Sequence, residues 1–332
     1  MSDPVQATIR QMLAEAGKTL IVSHVRPDGD AVGSVLGLGL ALQTGGKEVQ
    51  MVLEDGVPSD FRGLPGADQI RKHVEGPYDC LVVLDCSDVE RIGDLFGQDQ
   101  PLLGWQIGCP KVGQPGIPSL NIDHHVTNEN FASYNLVDVG AAATAEIIAS
   151  HLADWGLALA QPVASALLTG IVSDTIGFRT SNMTPQVMRI AADLMEAGAD
   201  LPELYRQALN QRSYQGARYW GAGLSRLQRE GTLVWTTLTQ SDRRAAGYPG
   251  RDDADLINVL STINDADISV IFVEQNNGSV KVSWRAQPGY NVSQVAVDFG
   301  GGGHPAASGA EIVGNLEEVQ EKVLRVTRKL FG

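Results

Sequence analysis

The sequence predicts an α/β fold in two parts: a doubly wound, mostly parallel sheet domain followed by a smaller α+β C-terminal domain. Three observations predict it. Short apolar runs alternate with helical patterns up to about residue 197, the alternation of a parallel sheet with crossover helices. Several of these runs end on an Asp or a His, and open α/β sheets place ligand sites at the carboxyl edge of their strands. From Thr232 the character changes to β-rich runs, two of them joined by Asn276-Asn277-Gly278, a strong hairpin signal.

Taken in order, residues 4–16 read as an amphipathic helix and Thr19–Ser23 as a strand. A helix of small residues is expected from about Ala31 to Gln43, then a strand at Val49–Leu53. Pro and Gly punctuate residues 58–66, which read as loop. Tyr78–Asp85 reads as a strand, with a short helix near Val89-Glu90-Arg91. Residues 97–118, rich in Gly, Pro and Gln, read as a surface excursion without chemistry. Ser119–Asp123 is the next strand, and helices are expected over 141–156, 161–172 and 185–197. Helical patterns from 185 to 228 connect to the second domain, where Leu233–Thr237, Ile268–Val273 and Val280–Arg285 read as strands and 315–330 as a closing helix. The boundaries expected are 1–185 for the first domain, 186–215 for a helical linker and 216–332 for the second. No internal repeat or low-complexity tract interrupts them.

Composition narrows the function. With 332 residues, the chain can build two domains with real cores. Its 43% apolar and 19% charged content is that of an ordinary globular protein. No apolar run approaches the roughly 20 residues that span a bilayer, so no membrane association is expected. No secretory signal is visible, and three scattered cysteines (Cys80, Cys86, Cys109) fit a reducing cytoplasm, the expected location. Cys80 and Cys86 flank the Leu81–Asp85 run and read as core thiols. Lys and Arg number 25 against 39 acidic residues, a net charge of −14. That balance argues against a tight grip on long duplex nucleic acid and suits a small anionic substrate held by a few contacts.

Asp123-His124-His125 closes the Ser119–Ile122 run. His24, Asp28 and Asp30 follow Thr19–Ser23, Asp85 follows Leu81–Leu84, and Asp174 follows Leu167–Ser173. Four apolar segments thus each deliver a carboxylate or imidazole at or just past their ends. His with several Asp is a nitrogen and oxygen donor set suited to Mn²⁺, Mg²⁺, Fe²⁺ or Zn²⁺. Six candidate ligands (His24, Asp28, Asp30, Asp85, His124, Asp174) are too many for one catalytic ion. They fit two, about 3.5–4 Å apart with a bridging carboxylate, a pair that generates a hydroxide at neutral pH and clamps a phosphoryl group. Each piece alone has a plainer reading: Asp30 as the N-cap of the helix beginning at Ala31, a single Asp as a turn residue. The conjunction, in order, is what points to a site.

In the second domain, Gly300-Gly301-Gly302-Gly303-His304 reads either as a linker or as an anion loop, since consecutive glycines let backbone N–H groups surround a phosphate. Arg285 is a surface charge or a phosphate fork. Trp284 reads as a buried strand tryptophan rather than a base-stacking platform, and His73 and His151 as surface or capping residues.

In this order the residues resemble motifs I to IV of the DHH phosphoesterases, and Phe299 to His304 resembles the glycine-rich signature of the DHH-associated C-terminal domain. The resemblance runs from about residue 20 to 310 and looks most like the NrnA group of nanoRNases, pAp phosphatases and cyclic-dinucleotide phosphodiesterases. It implies an active site in the interdomain cleft, with one ion held by His24, Asp28 and Asp85, and another by Asp30, Asp85, His124 and Asp174, with Asp85 bridging and Mn²⁺ the favoured metal. Asp123 would orient an imidazole, and His125 would face the scissile phosphate as hydrogen-bond donor or proton source. Arg285, in Ser283-Trp284-Arg285, and the loop Gly301, Gly302, Gly303, His304 would hold a terminal phosphate. The partners implied are short oligoribonucleotides or small phosphorylated nucleotides such as pApA and pAp, with the oligomeric state open to a homodimer. The alternatives are a cyclic di-AMP phosphodiesterase, a RecJ-like single-strand exonuclease and a nucleotide sensor without turnover. A family II pyrophosphatase shares the metal motifs, but its basic C-terminal signature is absent.

Overall fold

The computed structural model describes residues 4–96, 116–210 and 213–331. Contacts divide the chain into two compact units, Met1–Gln211 and Arg212–Gly332. The excursion expected at 97–118 falls mostly outside the described residues, as does Cys109.

The first unit contains α1 (Pro4–Glu15), β1 (Lys18–Val22), α2 (Gly29–Thr44), β2 (Glu48–Val52), β3 (Cys80–Leu84), β4 (Ser119–Asp123), β5 (Tyr134–Val137), α3 (Thr144–His151), α4 (Gln161–Asp174), α5 (Pro185–Glu196) and α6 (Leu201–Tyr205). The five strands are all parallel, in the order β2-β1-β3-β4-β5. That is a doubly wound order, and its direction reverses between β1 and β3, the crevice where such sheets bind ligands. Residues alternate across the sheet: Leu20, Val22, Leu81 and Val83 pack on one face, and Ile21, Val82, Leu84, Leu120 and Ile122 on the other. Burial on both faces is why these strands read as unbroken apolar runs. Helices cover the second of these faces. The first is covered, among the described residues, by connecting segments carrying Val74, Tyr78, Val89, Ile92 and Phe131.

Helix α2 is buried from Gly29 to Leu42, so it shows no amphipathic stripe. It lies against α4 closely enough that a Cβ on Gly33 would stand 2.5 Å from the Ala166 carbonyl oxygen and 2.7 Å from the Gly170 nitrogen. The apolar segment that leads to Asp174 is the helix expected over 161–172: it forms α4, and Asp174 is that helix's last residue. An apolar segment buried all round carries neither the helical nor the strand period clearly, so the helix's extension to Asp174 could not be read from pattern. Strand β5, with a half-exposed Tyr-Asn-Leu-Val sequence, was not expected. Helix α5 packs through Val187, Ile190, Ala191 and Leu194 into the first unit's core.

The second unit contains α7 (Tyr214–Leu224), β6 (Gln228–Glu230), β7 (Leu233–Leu238), α8 (Gln240–Ala246), α9 (Leu256–Leu260), β8 (Ile268–Glu274), β9 (Ser279–Ala286), α10 (Val292–Asp298), β10 (Gly302–His304), β11 (Ala307–Val313) and α11 (Leu316–Thr327). Its sheet runs β10-β11-β9-β8-β7-β6, with β7 and β8 parallel and the other pairs antiparallel. The Asn-Asn-Gly hairpin joins β8 to β9 as expected. Helices α10 and α11 cover one face over Val282, Trp284 and Phe272, while α7, α8 and α9 cover the other over Ile271 and Val273. The glycine-rich segment, expected as loop, forms a short hairpin: Gly302, Gly303 and His304 pair with Gly309, Ser308 and Ala307. Glycine gives no strand signal, yet backbone pairing needs no side chain. No helix among the described residues is long and apolar enough to cross a membrane.

Candidate functional site

The first unit gathers His24, Asp28, Asp30, Asp85, Asp123, His124, His125 and Asp174 at the carboxyl edge of its sheet. His24 lies two residues past β1, Asp85 one past β3, and Asp123 ends β4, so β1 and β3 deliver their groups to either side of the point where strand order reverses. Within 4.8 Å of one another stand His24, Asp28 and Asp85; Asp30, Asp85 and His124; and Asp85, Asp123 and His125. Asp85 belongs to all three groups. Its Oδ2 is 3.5 Å from His24 Nε2 and its Oδ1 3.7 Å from His124 Nε2. Asp174 Oδ2 is 3.5 Å from the same His124 nitrogen.

The imidazoles are oriented from behind. His24 Nδ1 lies 2.9 Å from the Val25 carbonyl oxygen and His124 Nδ1 3.3 Å from that of Ala141. A carbonyl can only accept, so in both rings Nδ1 carries a hydrogen, and Nε2 is the nitrogen turned to the carboxylates, able to give its lone pair to a cation once its own proton leaves. His125 Nδ1 lies 2.7 Å from Asp123 Oδ1, and Asn128 Nδ2 donates to Asp123 Oδ2 at 2.6 Å. Asn121, buried on the opposite face of β4 from Ile122, accepts from the same Asn128 amide at 2.8 Å and donates to the Val83 carbonyl.

The carboxylates are fixed as well. Asp28, and not Asp30, is the N-cap of α2: its Oδ1 accepts from the backbone N–H groups of Asp30 at 3.0 Å and Ala31 at 3.1 Å. Its other oxygen is the one nearest His24. Asp85 has φ +53, the left-handed region that Asp and Asn tolerate best among residues with a Cβ. Its backbone N–H donates to the Ile122 carbonyl at 2.9 Å, and the Thr144 hydroxyl donates to its Oδ1 at 3.0 Å.

Asp30, Asp85 and Asp174 lie together, and among the described residues imidazoles alone are their ion-pair partners. Burial and the charges of Asp85 and Asp174 push the Asp30 carboxyl well above the usual range. Burial likewise lifts Asp174 to about 6; His124 pulls it down, while Asp28 and Asp85 add to the rise. Burial would lower His124, but Asp174, Asp85 and Asp30 overcome it and hold the ring at about 9. Burial would also raise Asp85, yet its hydrogen bond with His24 and the charges of His125, His24 and His124 keep it well below the normal carboxylate range. The cluster thus holds surplus negative charge and retains protons to offset it. Oxygen and imidazole donors with excess negative charge fit hard or borderline divalent cations. No thiolate competes: Cys80 and Cys86 are buried thiols, with Cys80 pushed up to about 12 and Cys86 higher still, by burial above all.

In the second unit, Arg285 sits near the end of β9, opposite Ala307 of β11, which in turn faces His304 of β10. Directly opposed residues in antiparallel pairs point to the same face, so Arg285 and His304 share a face two strands apart, about 10 Å. Arg285 Nε donates to Asn258 Oδ1 at 3.2 Å and Nη1 to the Trp284 carbonyl at 3.0 Å, which fixes the guanidinium plane. Gly302 has open space where a Cβ would stand. Gly303, at φ +133, does not: a Cβ there would come within 2.6 Å of the Ala307 carbonyl oxygen. Trp284 is fully buried, with its Nε1 donating to Thr327 Oγ1 at 3.2 Å, so it is a core residue.

Sequence reasoning missed Thr144, Asn128 and Asn121. Thr144 starts a helix, a common place for Thr, but the alanine run before it blurred where α3 begins. Asn128 carried no signal, since its role exists only against Asp123.

The profile described as the DHH family, N-terminal domain, matches residues 18–171, and that of the DHHA1 domain matches residues 245–329. Over 320 residues, 95% of this chain and 91% of the relative, the sequence is 34% identical to the bifunctional oligoribonuclease and PAP phosphatase NrnA of Thermus thermophilus. It is 28% identical to the protein of the same name from Mycoplasma genitalium, covering 94% of each chain. The crystal structure of an exopolyphosphatase-related protein from Bacteroides fragilis superposes with a TM-score of 0.84 at 25% identity, covering 99% of this chain and 98% of that one. Fold, site and relatives together define a phosphoesterase. The chain belongs to the DHH family, with a DHHA1 domain following the DHH domain.

Proposed function

We propose that this chain is a two-metal phosphoesterase that hydrolyses short oligoribonucleotides and PAP-type nucleotides to mononucleotides. The observation that carries the two-metal reading is the position of Asp85, whose two oxygens face different imidazoles while it stands in each of the three candidate groups formed within the first unit. His24, Asp28 and Asp85 would hold one divalent ion, and Asp30, Asp85, His124 and Asp174 the other, with Mn²⁺ the favoured metal. Bound there, such ions supply an activated water and neutralise a phosphoryl group.

The protein's own groups do the rest. His125, held at Nδ1 by Asp123, presents Nε2 to the phosphate ester and gives a proton to the leaving oxygen. Asn128 holds Asp123 in place for that task. Arg285 offers its planar fork to a terminal phosphate, and His304 with the backbone of Gly301, Gly302 and Gly303 cradles it. Reading one phosphate while cleaving at another favours short substrates. The names of the relatives, which pair oligoribonuclease with PAP phosphatase activity, support this choice.

The test is Mn²⁺-dependent turnover of pApA, short oligoribonucleotides, pAp, cyclic di-AMP, long single-stranded DNA and pyrophosphate, followed by product chromatography. Preference for the small linear nucleotides is expected. Preference for long DNA, pyrophosphate or cyclic di-AMP would refute the substrate assignment, and no turnover would favour a sensor. Arg285→Ala is expected to weaken KM for 5′-phosphorylated dinucleotides by about 10- to 100-fold, the loss of one charged hydrogen-bonded contact. Equal losses on unphosphorylated dinucleotides would remove the terminal-phosphate role.

A further inference from the structure

We propose that the first turn of α3, led by Thr144, is the positioning element that sets Asp30 and Asp85 in register to share an ion, an inference that rests on the two-metal reading above. Helix α3 begins without a cap of its own: the preceding residue is Ala143, which has no side-chain acceptor. Its cap comes from elsewhere. The backbone N–H of Thr144 donates to Asp30 Oδ2 at 2.7 Å and that of Ala145 to Asp30 Oδ1 at 3.0 Å, from a residue 114 positions earlier in the chain. Ser34, one turn along α2, donates to Asp30 Oδ1 at 3.2 Å. The positive end of α3 thus faces a carboxylate that is 1% exposed.

The same residue that gives its N–H to Asp30 gives its hydroxyl to Asp85. Thr144 is fully buried, and Oγ1 reaches Asp85 Oδ1 at 3.0 Å. A hydroxyl has one hydrogen, so Asp85 Oδ1 is its designated acceptor. This bond fixes the rotation of the Asp85 carboxylate, with Oδ1 toward His124 and Oδ2 toward His24. Asp30 and Asp85 reside on different elements and repel each other. One helical turn binds both, and so holds their oxygens in the arrangement an ion requires before any ion arrives. Since Asp30 and the Oδ1 side of Asp85 both belong to the His124 group, the effect falls on that ion and not on the one at His24.

The experiment is Mn²⁺ titration by calorimetry and equilibrium dialysis on wild type, Thr144→Val, Thr144→Ala and Thr144→Ser, with thermal melts of each metal-free protein and kinetics on pApA. Wild type is expected to take up two ions. Thr144→Val is expected to keep one at wild-type affinity and bind the other about 10- to 100-fold more weakly. Its kcat falls by a similar factor while KM for pApA stays constant, and Thr144→Ser restores both. Thr144→Ala provides the same test should the valine methyl disturb packing. A lowered melting temperature with wild-type Mn²⁺ affinity and stoichiometry would make Thr144 merely structural and overturn the inference, as would a serine variant that restores nothing. Asp85→Asn, run alongside, separates the two readings. If it too keeps full Mn²⁺ binding, the two-metal site itself is wrong; if it loses binding while the Thr144 variants do not, only the inference fails.

Discussion

Asp85→Asn is expected to lower kcat/KM on pApA by at least about a thousandfold, roughly 4 kcal/mol of transition-state stabilisation, at saturating Mn²⁺. Asparagine is the informative substitution. Asp85 occupies a left-handed conformation at φ +53, which asparagine accepts and alanine resists, so the change removes charge without adding backbone strain. The Thr144 hydroxyl can still donate to the amide oxygen. Circular dichroism is expected to match wild type, which isolates the loss to chemistry. The effect should exceed that of changing any other single carboxylate, because Asp85 stands in each of the three candidate ligand groups formed within the first unit. Near-normal turnover in this variant would mean that no shared ligand operates here.

Gly33→Ala is expected to lower the melting temperature by roughly 4–8 °C, about 2 kcal/mol for a unit of this size, and to weaken Mn²⁺ binding with it. In an ordinary helix the same change would stabilise, by about 0.5–1 kcal/mol. Here the new Cβ meets backbone, the Ala166 carbonyl oxygen and the Gly170 nitrogen of α4, and backbone cannot rotate aside. The helices must separate, and overpacking of this kind costs about 1–3 kcal/mol or more. The site moves with them, since Asp30 lies one turn before Gly33, and Gly170 is close enough that a Cβ there would be 2.7 Å from Asp30 Oδ1. Thermal melts and Mn²⁺ titration read both effects. A rise in melting temperature would show that the two helices do not meet at Gly33.

Much of the site was legible because its chemistry is carried by residue types that apolar runs do not otherwise need. His24, Asp85 and Asp123-His124-His125 each interrupt such a run at its end, and a parallel sheet brings those ends to one edge. The reading faltered where burial erased the pattern. Leu167–Val172 is enclosed on all sides, so the end of its helix was not legible: the helix expected over 161–172 runs on to Asp174. Asp30, the candidate N-cap of its own helix, caps α3 instead, and Asp28 caps α2. The β10–β11 hairpin stayed hidden because glycine pairs through its backbone alone.

By itself, the sequence determined the class of fold, the identity and order of the candidate ligand residues, and the family to which the chain belongs. These are local properties: composition, period, and what stands at the end of each run. Only the tertiary structure decided that the strands lie in the order β2-β1-β3-β4-β5, that each Asp85 oxygen faces a different imidazole, and that one threonine on α3 secures two carboxylates from distant elements. Hydrogen bonds between groups 114 and 59 residues apart leave no trace in local pattern, because they exist only once packing has brought those groups together.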